Sequence, residues 1–373
     1  MTEKILLKDI LFNKEKFWLI ASEISLVYPD FLQKKFLDDI LRDFAMLELK
    51  QRISLIADNL HKYLPQDYET ALEVLLKSLP EPLNPSLQDD DFGDFIYASY
   101  SEFIAQNGCK KQYLEISLNA LKEVTKRFSA EYAIRNFLNK FPNETLSFLK
   151  NCSFDENYHV RRLASEGLRP KLPWGKKINI CYKKAAEILN NLYFDNCRFV
   201  TRSAANHLND ISKIDADFVI NLLKTWQKQQ KANEKELNFI ISHSLRNLLK
   251  QGDKQALQMI GINDEVNFEI SDFFCKKSLK LGENLEFSFN LFAKKDVKTI
   301  INYKIYFQNK AGKLGIGKVF LIKKCNLEAG KRINFSKKHL FRDFTTRNIY
   351  LGVHKLEILV NGKVLQESSF NLF

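Results

Sequence analysis

The side chains whose types and spacing could do chemistry fall in one stretch, YHVRRLASEGLRPKLPWG, from Tyr158 to Gly175. Val160, Leu163, Ala164, Gly167 and Leu168 recur there at helical spacing as a packing face. Arg162, Glu166 and Arg169 then stand on another face, at i, i+4 and i+7. Two guanidinium groups beside one carboxylate lower its pKa and hold it ionised. Glu166 is therefore poorly suited to donate a proton and well suited to stabilise a cation. The same spacing also describes an ordinary surface ion pair worth about 0.2–0.5 kcal/mol, and spacing alone does not separate the two readings. Pro170 and Pro173 end the helix and force an extended turn. Trp174 is left where a core residue is not required, so its face can pack on the next helix or stack on a sugar or base. Upstream, Glu131 in FSAEYAIRNFL opens a helix, where the helix dipole by itself favours a carboxylate.

These residues need elements to position them, and the chain supplies a repeat. DENYHVRRLASEGL from Asp155 and DNCRFVTRSAANHL from Asp195 match at a spacing of 40, with Asp155/Asp195, Val160/Val200, Arg162/Arg202, Ala164/Ala204 and Leu168/Leu208 coinciding. A degenerate third copy near residue 235 keeps Ile240 and Leu248. A helical period of this length is that of HEAT-type arrays, whose two-helix units stack because one alone cannot bury its apolar face. Arg162 and Arg202 are expected to project side by side as a row of guanidinium groups suited to a phosphate backbone. Apolar residues keep helical spacing up to about residue 262, broken by Pro80, Pro82 and Pro85, which predict a loop.

From residue 266 the period changes to two, as in Leu285, Phe287, Phe289, Leu291 and in Ile301, Tyr303, Ile305, Phe307. Asn361-Gly362 is a hairpin signal. The fold class expected is an all-α HEAT-like helical repeat array over 1–262, followed by a C-terminal all-β Ig-like sandwich over 266–373. A chain of 373 residues, 45% hydrophobic and 27% charged, has room for both and is neither disordered, collagenous nor membrane-embedded. Its net charge of +12 is uneven: residues 265–373 carry +10, residues 129–213 carry +6 and residues 1–128 carry −5. Two basic regions favour a polyanionic partner. Six cysteines without a CxxC pair support neither disulfides nor a zinc site, and imply reduced thiols in the cytoplasm. Lys and Glu interrupt the N-terminal segment too often for a signal peptide or a spanning helix. No metal and no cofactor are called for, because the histidines are dispersed.

HVRRLASEGLRPKLPWG, with FSAEYAIRNFL and TRSAANHLNDI, resembles the AlkC branch of the HEAT-like DNA glycosylases. That family has a helical-repeat domain, and AlkC members commonly add an Ig-like domain, so the resemblance spans nearly the whole chain. It implies that Glu166 and Glu131 are the catalytic carboxylates and that Trp174 lines the lesion site. Arg162, Arg169, Lys171 and Arg202 would hold DNA, and Asn206, Asn209 and Asp210 match a family string associated with it. The implied reaction is removal of N3-methylated bases such as 3-methyladenine and 3-methylcytosine from alkylated double-stranded DNA, by a monomer that leaves an abasic site uncut. Such bases are cationic and already good leaving groups. They require fixed negative charge beside the oxocarbenium and a water to attack it, rather than a general acid. The resemblance also implies work without a deep base-flipping pocket. The rival reading is a noncatalytic HEAT scaffold for nucleic acid or a protein partner, in which Glu166 is only an ion-pair member.

Overall fold

The computed structural model describes residues 6–87, 92–262, 267–343 and 348–373. The chain divides into two compact units, Met1–Ile211 with Gln230–His243, and Ser212–Gln229 with Ser244–Phe373. The expected boundary at 262–266 falls on residues 263–266, outside the described ones.

In the first unit the described secondary structure is helical apart from an isolated bridge between Gly93 and Phe128. The positions matched by the repeat are core: Val160, Val200, Ala164, Ala204 and Leu208 are fully buried and Leu168 is 1% exposed. The matched aspartates do a different job. Asp155 pairs with Lys122 and Asp195 with Arg161, each at 2.5 Å, so an acid at the start of one repeat takes a cation from the repeat before. The third copy continues this ladder through Glu236, which pairs with Arg198 at 2.5 Å and accepts from Thr201, the residue in Arg161's place forty positions on. Partly buried pairs of this kind add modest stability and mainly specify which repeat stacks on which. The prolines break the helical run as expected: helix Tyr68–Lys77 ends before them and the next turn begins at Phe95, with residues 88–91 of that loop outside the described ones.

Among the described residues the second unit has eight strands: β1 (Phe268–Cys275), β2 (Ser278–Leu279), β3 (Asn284–Ala293), β4 (Val297–Tyr306), β5 (Lys318–Leu327), β6 (Arg332–Leu340), β7 (Gly352–Val360) and β8 (Lys363–Leu372). They form a three-stranded sheet, β1-β3-β6, and a five-stranded sheet, β2-β8-β7-β4-β5, antiparallel except for the short β2–β8 pair. Alternation in β3 sends Leu285, Phe287, Phe289 and Leu291 inward, where they share a core with Ile301, Tyr303, Ile305 and Phe307. Asn361 and Gly362 make the two-residue β7–β8 turn with φ of 49° and 81°, the left-handed conformations such a turn requires. Helices Ala216–Gln229, Arg246–Gln251 and Lys254–Met259 belong to this unit. Gly252, at φ 75°, closes the helix Arg246–Gln251 directly against Gly362, where a Cβ on either would sit about 2.5 Å or less from the other's Cα. Among the described residues no helix is long and apolar enough to cross a membrane.

Candidate active site

Helix Tyr158–Glu166 carries Val160, Leu163 and Ala164 into the core, and this fixes where its polar residues point. It ends at Glu166, with Gly167 as cap, rather than running on to Pro170. Arg169 is therefore not on the helical face expected for it and reaches back from the following turn. Gly167 is required at that bend because a Cβ would stand 2.8 Å from Ile134 Cγ2, on the helix Ile134–Lys140. Glu131 does not open that helix either. It lies in the turn 131–133 before it, which brings its carboxylate to the neighbouring repeat.

The result is a row of alternating charges. Glu131 Oε2 stands 3.2 Å from Arg162 Nη1, Arg162 Nη2 stands 3.9 Å from Glu166 Oε1, Glu166 Oε2 accepts from Arg169 Nη1 at 2.9 Å, and Arg169 Nε donates to Asp210 Oδ2 at 3.0 Å. None of these five side chains is more than 12% exposed. The row of exposed guanidiniums expected from Arg162 and Arg202 is thus not formed: Arg162 is turned inward, pinned by two carboxylates and stacked 4.4 Å over the Phe199 ring. Arg202 is half-buried on the next repeat.

The two glutamates differ. Glu166 Oε2 accepts a hydrogen bond from Arg169, while Oε1 has only the longer ion pair to Arg162. Glu131 Oε2 is ion-paired with Arg162 and accepts a hydrogen bond from Ser129 Oγ at 3.0 Å, while among the described residues no hydrogen bond reaches its Oε1. Burial pushes the Glu131 carboxyl up, Arg162 only partly offsets this, and the charge on Glu166 adds to it, so its pKa lies above the usual range. Burial acts on Glu166 in the same direction but is outweighed by Arg162 and Arg169, and its pKa lies below that range. This agrees with the carboxylate held ionised between two arginines.

Trp174 is 58% exposed and adopts φ 61°, a left-handed conformation that a bulky residue takes only when its surroundings impose it. Lys50 Nζ donates to the Trp174 carbonyl. The main brace is Arg135, 1% exposed, which donates to the carbonyls of Gly167 and Arg169 at 3.0 Å each and of Lys176 at 2.5 Å, holding both ends of the 167–176 turn. Burial lowers its pKa to about 10, which leaves it charged at neutral pH. Sequence reasoning passed over Arg135, although an arginine among Ile134, Phe137 and Leu138 on a core-facing helix is a usable signal, since a buried cation must have partners. Beside Trp174 lies a cleft of about 220 Å³ lined by Tyr132, Lys50, Asn136, Lys176 and Phe95. Burial raises the Tyr132 hydroxyl to about 12.

Of the residues singled out in the sequence, the fold unites Glu131, Arg162, Glu166, Arg169 and Asp210, with Trp174 on the adjoining turn. Lys171 is exposed between the two prolines. Asn206 accepts a hydrogen bond from His243 Nε2 at 2.9 Å, and Asn209 is buried beside Asp210. Among the described residues no group of three or more His, Cys, Asp or Glu side chains is arranged to hold a metal ion.

A helical-repeat array with two largely buried glutamates on one arginine, followed by a basic β-sandwich, defines the class as a two-part HEAT-like protein with a charged site on the array. Residues 269–373 match the family described as the C-terminal Ig-like domain of the uncharacterised protein YhaZ. The chain is 34% identical over 371 residues to the uncharacterized protein YhaZ of Bacillus subtilis strain 168, spanning 98% of this chain and 99% of that one. The alkylpurine DNA glycosylase AlkC of Pseudomonas fluorescens, solved bound to DNA containing an abasic site analog, has the same fold, with a TM-score of 0.89 and 34% identity over 99% of this chain and 100% of AlkC. The chain belongs to the family of YhaZ and AlkC.

Proposed function

We propose that this protein is a monofunctional DNA glycosylase of alkylation repair, which excises cationic N3-methylated bases, 3-methyladenine and 3-methylcytosine, from double-stranded DNA. The observation that carries the reading is the pair of largely buried glutamates sharing Arg162, with an exposed, conformationally constrained Trp174 on the turn after the Glu166 helix, in a chain that matches AlkC over its whole length.

The N-glycosidic bond breaks with its electron pair leaving on the base, which neutralises the methylated ring without a proton donor. Positive charge then develops on the deoxyribose. Glu166, ionised and held through Oε2 by Arg169, supplies preoriented negative charge to that oxocarbenium. Glu131, with one oxygen uncommitted and a raised pKa, orients the attacking water and takes its proton as the C1′–O bond forms. The exposed Trp174 ring lies against the sugar. Lys171 and Arg202 contact the backbone, while Arg162 and Arg169 act first on the carboxylates. The sandwich, which carries most of the net positive charge, adds salt-dependent affinity for phosphates rather than sequence choice. A chromosomal substrate places the working monomer in the cytoplasm, at the nucleoid.

The test is chromatography of free bases released from methylated duplex DNA by wild type and by Glu166→Gln. Release by wild type alone establishes the reaction and places Glu166 in it. No release by either, with DNA binding intact, leaves the scaffold reading in its place.

A further inference from the structure

Asp210 is 2% exposed and lies one residue before the end of helix Arg198–Ile211. Its match to a family string suggests a DNA contact, but its carboxylate is buried under Arg169 instead. Arg169 is in a turn, so no helix fixes the direction of its side chain. The guanidinium is aimed by the acceptors at its two edges, Asp210 at Nε and Glu166 at Nη1. A planar fork can serve two carboxylates in this way and a lysine cannot.

We propose that Asp210 is a positioning residue that acts through Arg169: by holding Nε it aims Nη1 at Glu166 Oε2, so that Glu166 stays the fixed carboxylate and Glu131 is the one left to meet water. This rests on the glycosylase reading only for its turnover readout. Arg162, Arg169, Arg135, Asp210, Tyr132 and His207 are the charged and titratable groups that face the glutamate pair. Tyr132, raised to about 12, and His207, lowered to about 3, are neutral at pH 7 and add no charge. The remaining groups make removal of Asp210 informative, because its two effects on Glu166 have opposite signs. As a bare negative charge, its loss lowers the Glu166 pKa. As the anchor of Arg169, its loss lets the guanidinium swing away and raises it.

The experiment is a carboxyl ¹³C NMR titration of Glu166 in the full-length protein, for wild type, Asp210→Ala, Asp210→Asn and Arg169→Lys. The proposal expects Asp210→Ala and Arg169→Lys to raise the Glu166 midpoint by about 1 unit or more. Asp210→Asn, which keeps an oxygen for Nε, should stay nearer to wild type than Asp210→Ala. An unchanged or lowered midpoint in Asp210→Ala, or Asp210→Asn behaving like Asp210→Ala, overturns it. If Asp210→Ala does not fold, Arg169→Lys decides the matter: a raised midpoint supports the proposal and an unchanged one overturns it. In turnover, Asp210→Ala should lower kcat about tenfold or more with KM for lesion DNA unchanged, and Asp210→Ala/Arg169→Lys should be no worse than the poorer single variant. A titration shift without base release by wild type sinks the glycosylase reading and leaves the positioning role standing. Base release by wild type without the shift does the reverse.

Discussion

Glu131 and Glu166 share one guanidinium, that of Arg162, which stands 3.2 Å from the first and 3.9 Å from the second. Two carboxylates on one cation do not ionise with equal ease, and the second arginine, Arg169, settles which of them keeps its charge. In the mechanism proposed above, that asymmetry divides a fixed charge from a proton acceptor.

Glu166→Gln should lower kcat by about a hundredfold or more, the scale expected when a preoriented charge is removed from a water-poor site. Asp210 and Glu131 still neutralise the arginines, so the protein should fold and bind DNA. Single-turnover base release, with a binding assay in parallel, measures both.

The pH profile should have an acid limb set by Glu131. Its pKa is raised, so activity is lost as pH falls through values above the ordinary glutamate range near 4.5. In Glu166→Gln the like charge is gone and Arg162 serves Glu131 alone, which lowers the Glu131 pKa and should move the residual limb to more acid pH. A limb that moves upward would place the proton acceptor elsewhere.

His207 is fully buried, and burial lowers its pKa from 6.5 to about 3. A depressed folded-state pKa means that its contribution to stability is complete above pH 6.5 and is lost as pH falls toward 3, by about 1.4 kcal/mol per unit. Denaturant midpoints of wild type between pH 7 and 5.5 should fall accordingly. His207→Gln should flatten that dependence.

Arg135→Lys keeps the charge but cannot reach three carbonyls at once. It should cost about 2–3 kcal/mol, through buried acceptors left unsatisfied, and lower base release by loosening the turn that presents Trp174. Thermal melts and limited proteolysis within 167–176 check the two effects.

Gly362→Ala should destabilise the second unit strongly, since the new Cβ meets Gly252 Cα at 2.2 Å and φ is 81°. Gly330→Ala is the control: its φ of 76° is similar but nothing lies within 4 Å of the added methyl. It should cost only about 1 kcal/mol. Similar melting temperatures for the two would refute the close approach.

The fold class was legible because periodicity reports burial directly. Apolar residues at helical spacing up to residue 262, the repeat at forty residues, and the alternation of Leu285 through Leu291 each identify a face that must be covered. Asn361-Gly362 marked its own turn, because few sequences tolerate two left-handed residues in succession. The charges on both sides of Glu166 were also local information, and they correctly put its pKa below the usual range.

Tertiary structure decided what each charge faces. Sequence order put Arg162 beside Arg202 and Arg169 on the helix of Glu166. Packing turned Arg162 toward Glu131, ended the helix at Gly167 against Ile134, and buried Asp210 beneath Arg169. Arg135, which spans two elements to hold the Trp174 turn, had no local pattern that named its partners. Hydrophobic spacing is a property of single segments and can be read along the chain. A buried ion pair exists only where two segments meet, because desolvation makes each charge depend on a partner that sequence proximity does not supply.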